Sequence, residues 1–432
     1  MLLLRAALAC AAIVFSIAAS AAPPAPRTAD PPSQSISTVS PALRAALRAV
    51  WESSLDVQAA RAELEAARAR ARAADQPLYN PTLSVEVENA DVDRRTAGIG
   101  LELDLSGKRR ARANEGQAQL RASEAAFEIA RRDIAGRWLK AWSAVALAAR
   151  QAEFGRRRVT LMQRFDDLAA QRLRVGDISS PERDLAGLAL GEAQVQQAAL
   201  IGSEAEQRAR ILAIAGDAIT SLPPLPDALP PNGKEFTARP PVDLPELREA
   251  RAKVERGDAA IDVARRNRIP NPTISLTGGS VRSGPFNERI SDRVIGVSVS
   301  IPLPLLNTGR AEVDAARADA DAAAAAMKSR ELSLRASQRE ARARYDALRE
   351  AVVSFRGGRA AAHEDRTGLL EKLWRAGEIS TSDYLVQLKQ SLDTALSGLD
   401  LESRTWQAWF DYLTAAGRLT DWIEGTAQDA TR

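Results

Sequence analysis

Cysteine and histidine are almost absent from this sequence. A single cysteine, Cys10, and a single histidine, His363, occur among 432 residues. Because Cys10 lies in an apolar N-terminal segment, a chain that has lost this segment has no disulfide and no thiol for catalysis or zinc binding. His363 is followed by three charged residues, a setting typical of a solvated helix face rather than of a catalytic base. We therefore predict no enzymatic activity, no metal site and no cofactor.

Aromatic residues, excess charge and long apolar runs are also scarce. Hydrophobic residues make up 45% of the chain but aromatic residues only 4%. Alanine, the best helix former, accounts for much of the hydrophobic content. The 59 basic and 56 acidic residues nearly cancel, so no strong positive field favours nucleic acid as a partner. Beyond the N-terminus no stretch reaches 18 apolar residues, and we predict no transmembrane helix.

The first 21 residues have the features of an export signal. Arg5 supplies the positive start, residues 6–19 form an apolar run, and Ala19-Ser20-Ala21 is a small-x-small cleavage site. We expect a signal peptide over residues 1–21. Two alternatives are less favoured: a membrane anchor, because the run is shorter than the ~20 residues a spanning helix needs, and lipid attachment at Cys10, because the apolar run continues past it.

The rest of the chain is a duplicated unit, because three landmarks recur in the same order in each half. They are Asn80-Pro81-Thr82 and Asn271-Pro272-Thr273, Gly107-Lys108 and Gly309-Arg310, and the turns at residues 174–179 and 375–380. The predicted organisation is a flexible N-terminus with a short helix (22–54), a first repeat (55–215), a Pro-rich linker (216–243), a second repeat (244–424) and a polar tail (425–432).

Each repeat is predicted to run helix, two strands, long helix, tight turn, helix. In the first repeat residues 55–74 are helical in pattern, and two strands follow around a predicted polar turn at residues 91–98. The strands alternate strictly, which gives each one an apolar and a polar face. The apolar positions are Leu83, Val85, Val87, Ile99, Leu101, Leu103 and Leu105, then Ile274, Leu276, Ile295, Val297, Val299 and Ile301.

Long helices are predicted from uninterrupted heptad patterns. Residues 107–172 contain no proline and correspond to roughly 100 Å of helix at 1.5 Å per residue. Apolar residues at seven-residue steps are typical of coiled-coil packing. These positions are Leu120, Phe127, Ile134 and Ala141, then Met327, Leu334, Ala341, Leu348 and Phe355, and on the returning helix Leu385, Leu392, Leu399 and Trp406.

Four such strands cannot make a stable sheet alone, because both edges would stay unpaired and the apolar face would have no partner. Both problems disappear if several chains close their strands into one barrel in a membrane. The predicted fold class is therefore mainly α with a membrane β-barrel portion, in which long coiled-coil helical hairpins accompany four strands per chain.

The duplicated motifs resemble those of the TolC family of outer-membrane efflux proteins over nearly the whole mature chain. The helix opening Ser106-Gly107-Lys108-Arg109 is most similar to the branch that serves heavy-metal efflux of the cobalt–zinc–cadmium type. The resemblance implies a homotrimer, with a twelve-stranded barrel in outer-membrane lipid and a helical tunnel in the periplasm. It also implies a periplasmic adaptor and an inner-membrane pump of the RND type as partners. Substrate, heavy-metal cations in this branch, would then pass to the exterior passively.

The resemblance also assigns roles to residues of the two turns. It places adaptor docking and pore opening at Arg174, Gly176, Ile178, Ser179, Arg375, Gly377, Ile379 and Ser380. It makes Glu182 and Asp383 gate candidates, because an acid six residues after the turn glycine contributes to the closed gate in the family. The pattern departs from the family at Val386 and Ile379, which stand in place of a second acid and a basic residue.

The polar face of the first hairpin is predicted to give the channel an acidic lumen. Rings of acids favour cations over anions, and the acids concerned are Glu86, Glu88, Glu102 and Asp104.

Two alternative functions stay open: an outer-membrane channel for drugs or for type I secretion, and, from another class, a periplasmic coiled-coil adaptor or structural protein. The strand hairpins of the duplicated unit favour a channel over an adaptor.

Overall fold

The computed structural model describes residues 39–89, 92–216, 221–284, 290–358 and 363–425, which fall within one compact unit, Ser35–Arg432. The predicted signal peptide, the mature N-terminus up to residue 38, the His363 side chain, residues 217–220 of the linker and the tail from residue 426 lie outside this description. In the described ranges no helix is both long and apolar enough to pass through a membrane.

Each half of the chain has a helix, two strands and a pair of long helices in the same order. The first half contains α1 (Pro41–Ser53), α2 (Leu55–Ala74), β1 (Thr82–Glu88), β2 (Val92–Glu102), α3 (Lys108–Arg174) and α4 (Ser180–Ala215). The second half contains α5 (Pro245–Asn267), β3 (Thr273–Ser283), β4 (Ile290–Ser300), α6 (Arg310–Gly357), α7 (His363–Arg375), α8 (Thr381–Ala415) and α9 (Leu419–Glu424).

The predicted long helix of the first repeat is confirmed by α3, which has 67 residues and hence a length of about 100 Å. Its counterpart in the second repeat differs from the prediction, because it is divided into α6 and α7. The division follows Gly357-Gly358, and Gly358 already has an extended backbone. Glycine costs about 1 kcal/mol in a helix relative to alanine, and two in succession end the helix.

The four strands form one antiparallel sheet in the order β1-β2-β3-β4. The two predicted hairpins therefore lie side by side, because β2 pairs with β3 over the whole of its length. The predicted polar turn at residues 91–98 is wrong, since β2 begins at Val92, and Arg94 and Arg95 pair with Glu88 and Val87 of β1. Pairing on both sides of β2 outweighs the weak strand preference of these polar residues.

A tryptophan-rich core lies where α1, α3, α8 and α9 meet. The rings of Trp138 and Trp142 stack with centroids 6.3 Å apart, and Trp406 meets Trp142 edge-on at 6.4 Å. Helix α1 contributes the fully buried Leu47 and Val50. Large aromatic side chains thus concentrate in one place although the sequence holds few of them.

The Pro-rich linker is bound to this core by buried tyrosines. The Tyr345 hydroxyl donates to the Pro231 carbonyl at 2.5 Å, and the Tyr412 hydroxyl donates to the Phe236 carbonyl at 2.6 Å. Buried hydroxyls that find acceptors in this way fix a segment that has little secondary structure of its own.

Candidate functional site

The sheet has an apolar face that is largely exposed to solvent. Side chains at alternate positions of all four strands form it, and directly paired residues share it. Ile295 is 82% exposed, Leu83 76% and Val297 70%. A contiguous apolar surface of this kind marks a site that lipid or another chain covers. The face consists of Leu83, Val85, Val87, Ala97, Ile99, Leu101, Ile274, Leu276, Ile295, Val297 and Val299.

The opposite face of the sheet carries Glu86, Glu88 and Glu102, three of the four predicted lumen acids. Glu88 lies directly opposite Arg94 in the register, and the Thr96 hydroxyl donates to the Glu86 carboxylate at 3.4 Å. On this face the second hairpin carries five neutral side chains, Thr273, Ser275, Thr277, Ser298 and Ser300, and one acid, Asp292 of β4. The three predicted acids therefore lie on the first hairpin, Arg94 stands opposite one of them, and Asp292 adds a further carboxylate to this face from the second hairpin.

Glu102 belongs to a hydrogen-bond network at the helical end of the sheet. Asn271 donates from Nδ2 to Glu102 Oε1 at 3.0 Å and to the Tyr79 hydroxyl at 2.8 Å. Burial, followed by the hydrogen bond to Glu102, raises the pKa of Tyr79, so this phenol stays protonated. The asparagine of the second Asn-Pro-Thr landmark thus ties the two repeats together.

The predicted position of Asp104 on a lumen strand is wrong. Strand β2 ends at Glu102, and the two Asp104 carboxylate oxygens accept hydrogen bonds from the N–H groups of Lys108 and Arg109, both at 2.8 Å. Desolvation alone would raise the pKa of Asp104, but these backbone hydrogen bonds outweigh it and lower the pKa below its ordinary value. Asp104 therefore stabilises the first turn of α3. Leu103 and Leu105, also predicted as strand positions, follow the strand end.

Both tip turns, at residues 174–179 and 375–380, close in the same way. Gly176 and Gly377 have φ of 77° and 75°, in the left-handed region. In the first turn the Gly176 N–H donates to the Leu173 carbonyl at 3.1 Å and the Asp177 N–H to the Arg172 carbonyl at 2.9 Å; the second turn repeats both bonds. This is a Schellman motif, which ends a helix at a glycine. A β-carbon at either glycine would meet nothing within 4 Å, so the requirement is for the backbone conformation.

The two gate candidates lie in the first turns of the returning helices. Glu182 accepts hydrogen bonds from the backbone N–H and the hydroxyl of Ser179, both at 2.8 Å, and these bonds lower the pKa of Glu182. The Ser380 hydroxyl donates to the Asp383 carboxylate at 2.7 Å and accepts from the Asp383 N–H at 3.1 Å. Within one chain both acids therefore stabilise helix starts. A gate role involves neighbouring chains and remains a prediction.

The other predicted residues of the turns differ in their surroundings. Ile178 and Ile379 pack against the apolar cluster beneath the tips. Arg375 pairs with Glu371 of its own helix at 2.5 Å, and Arg174 is exposed at the end of α3. Of these residues, the two isoleucines bring the turns together, and the side chains of Arg174 and Arg375 do not.

Arg172 joins the two tips, and the sequence analysis missed it. Its Nη1 and Nη2 atoms donate to the carbonyl oxygens of Trp374 and Arg375 at 3.3 and 2.9 Å, and its Cζ lies 4.6 Å from the centre of the Trp374 ring. These carbonyls end α7, where a cation is favoured by the helix dipole. A signal was available: the equivalent position in the second repeat is Leu373, so this charge departs from the repeat.

An aromatic cluster supports the same contact. Phe165 of α3 lies 4.6 Å from Trp374 and 4.9 Å from Tyr384, measured between ring centroids. The Trp374 Nε1–H donates to the Thr381 hydroxyl at 3.2 Å. Burial raises the pKa of Tyr384 to about 12, so this phenol stays neutral. The hairpins α3–α4 and α7–α8 are therefore packed together immediately behind their turns.

Fold and surfaces together define a class of protein. The sheet presents an apolar face like that of a membrane barrel, and paired helices of up to about 100 Å extend from one end of it. Among the described residues no group of three or more His, Cys, Asp or Glu side chains is arranged to hold a metal ion. This is the architecture of a channel subunit of the bacterial outer membrane.

Comparison with known proteins identifies the family. The model for outer membrane efflux proteins matches residues 46–217 and 243–418, so the chain belongs to this family and is a protein of the outer membrane. The resemblance predicted from the duplicated motifs is confirmed. The two matched segments follow the two halves of the chain, and each contains two strands and their helical hairpin.

Individual relatives agree with this assignment. The cobalt-zinc-cadmium resistance protein CzcC of Cupriavidus metallidurans is 26% identical over 273 residues, which are 62% of this chain and 64% of CzcC. A membrane protein from Pseudomonas aeruginosa has a similar fold, with a TM-score of 0.74 at 20% identity over 93% of this chain and 100% of that one. The CmeC outer membrane channel of Campylobacter jejuni gives 0.70 at 14% identity over 90% of each chain.

Proposed function

We propose that three copies of this chain close their sheets into one twelve-stranded barrel and act as the outer-membrane duct of a tripartite efflux system. The observation that carries the proposal is the exposed apolar face of the sheet, whose edge strands β1 and β4 each pair on one side only within the described chain. Pairing β4 of one chain with β1 of the next removes both edges. Lipid then covers the apolar face, and the polar face lines the lumen.

The trimer is tested by mass. Full-length chains of 46.4 kDa are extracted from outer membranes in detergent and measured by native mass spectrometry. The expected species contains three chains, each lighter by the signal peptide. A folded monomer that stays soluble without detergent would contradict the proposal, because its apolar face would then be covered by nothing.

We propose that the two turns of each chain dock the periplasmic adaptor, which connects the duct to an inner-membrane pump of the RND type. The turns project beyond the apolar cluster that fixes them, and their backbones are exposed at Gly176 and Gly377. Rigid, repeated turns of the same geometry offer an adaptor equivalent contacts on both halves of each chain. Passage through the duct then needs no chemical step in this protein.

Heavy-metal cations are the proposed substrate class. The similarity to a protein named for cobalt, zinc and cadmium resistance supports this proposal, and so does the acidic polar face. With Asp104 engaged at α3, the three remaining predicted lumen acids of each chain, Glu86, Glu88 and Glu102, give nine in a trimer (three times three). Rings of carboxylates lower the barrier for cations, but a wide aqueous lumen screens charge over about 8 Å. The expected effect is therefore a preference for cations rather than strict selection.

The alternatives differ in substrate or in class. A drug or type I secretion channel would have the same barrel and would differ from a heavy-metal channel only in its substrate. The metal sensitivity of a deletion strain therefore distinguishes a heavy-metal channel from these alternatives. A periplasmic adaptor would need no membrane-facing sheet, and the family match leaves no support for that alternative.

A further inference from the structure

The apolar face of the sheet ends before its loop end, where β1 connects to β2 and β3 connects to β4. Beyond the row Val85–Ala97–Gly278–Ile295, the apolar face becomes polar and cationic. The next two rows on this face are Val87–Arg95–Ser280–Arg293 and Asp93–Arg282–Ser291. On the opposite face the same levels carry both apolar and charged side chains: Val92, Val281, Ile290 and Val294 alternate there with Glu88, Arg94 and Asp292. Three arginines therefore stand on the lipid-facing side where the apolar band ends.

The position of this cationic row follows from the connections of the strands. Helices α2 and α5 enter the sheet, and α3 and α6 leave it, all at the opposite end. The loop end thus points away from the helices. With the helices in the periplasm, this end lies at the outer surface of the outer membrane.

The three guanidinium groups are close enough to share one ligand. Strands lie about 4.8 Å apart, so the backbones of Arg95 and Arg293, two strands apart, are separated by roughly 10 Å. Arg282 lies between them, one row further out and directly opposite Asp93, and all three arginine side chains are exposed. The four side chains together carry a net positive charge. Arginine presents a planar fork of N–H donors that matches phosphate.

The four strands contain no aromatic residue, although aromatic residues usually mark the level at which a barrel meets the lipid headgroups. Barrels commonly carry aromatic girdles at this level, but β1 to β4 contain no Phe, Tyr or Trp. Arginine can anchor a span at the same depth, because its stem covers apolar surface while its head reaches the headgroups.

We infer that Arg95, Arg282 and Arg293 bind the phosphate groups of an outer-leaflet glycolipid. The lipid's acyl chains lie on Ile295, Val297 and the rest of the apolar band, and its phosphates pair with the three arginines. The inference rests on the proposed barrel, which sets the apolar face toward lipid. Each arginine at a membrane surface contributes roughly a fivefold factor in affinity, so three contribute on the order of a hundredfold.

The test uses the full-length trimer in detergent and lipid A that carries two phosphates as the probe. Native mass spectrometry counts lipid molecules bound per trimer as the lipid concentration rises. The triple substitution R95Q/R282Q/R293Q should weaken binding about a hundredfold, while R95K/R282K/R293K retains most of it. The matched control is R94Q, which removes a charge from the neighbouring position on the opposite face and should leave binding within twofold of wild type.

Two further probes distinguish binding of the intact phosphorylated lipid from binding of its acyl chains or of free phosphate alone. Lipid A without phosphates should bind all variants as weakly as the triple Gln variant binds the intact lipid, and inorganic pyrophosphate at equal concentration should not compete. Equal binding by the wild type and the triple Gln variant, or an equal loss in R94Q, would overturn the inference. Absence of a trimer in the wild-type spectrum would instead count against the proposed barrel.

Discussion

Replacing Arg172 with alanine tests whether the contact between the two tips holds them closed. The substitution removes two hydrogen bonds from a guanidinium to the last carbonyls of α7, at 3.3 and 2.9 Å, and a cation–π contact at 4.6 Å. Hydrogen bonds to charged groups contribute about 1.5–3 kcal/mol each, and an exposed cation–π contact about 0.5–1 kcal/mol. Because Arg172 is half-exposed, we expect a loss of about 2 kcal/mol, well below the sum of these terms.

A loss of this size corresponds to roughly a thirtyfold change in the equilibrium between packed and separated tips. The assay is single-channel recording of the purified protein in planar bilayers, where R172A should open more often and reach higher conductance. The matched control is R174A, which removes the exposed arginine two residues further along α3. If R172A and R174A both behave as wild type, Arg172 does not hold the tips together, and the reasoning is refuted.

The remaining predictions concern the turns and the lumen. Exchanging Gly176 and Gly377 together for valine should abolish export while trimers still form, because a β-branched residue is strained at positive φ. The paired exchange to asparagine, which tolerates this conformation, should keep export. Normal export by the valine variant would contradict a role for the turns. In a salt gradient, E86Q/E88Q/E102Q should shift the reversal potential toward weaker cation preference, and R94Q, on the same face, should shift it the opposite way; an unmoved potential would mean that the acids do not bias conduction. Deletion of the gene should sensitise cells to cobalt, zinc or cadmium more than to drugs, and the reverse order of sensitivities would favour the alternative substrate class.

Local patterns predicted much of the architecture. Residues 55–74 were predicted as a helix, and α2 spans Leu55–Ala74. Proline-free heptads predicted α3, and period-two alternation identified both faces of the sheet. These features depend on neighbours in the sequence, which is why composition and spacing were enough.

The predictions are wrong where contacts between residues far apart in the sequence determine the local structure. Residues 91–98 have a turn-like composition, yet β3 pairs with residues 92–98 and β1 with residues 94–98, and this pairing makes residues 92–98 a strand. Asp104 continues the alternation of β2, but its carboxylate is bound by the first turn of α3 instead. Arg172 contacts residues about 200 positions away. Its neighbours in the sequence do not distinguish it from the other arginines on the helices, and only the comparison with Leu373 in the second repeat does.

Cysteine labelling in intact outer membranes tests the central claim most directly. The predicted mature chain contains no cysteine, so V297C and S298C each introduce a single thiol at neighbouring positions on opposite faces of β4. A water-soluble maleimide small enough to enter the lumen should label S298C and leave V297C unmodified until the membrane is dissolved and the protein unfolded. Equal labelling of both variants in the intact membrane would contradict a barrel in which lipid covers the apolar face and water fills the lumen.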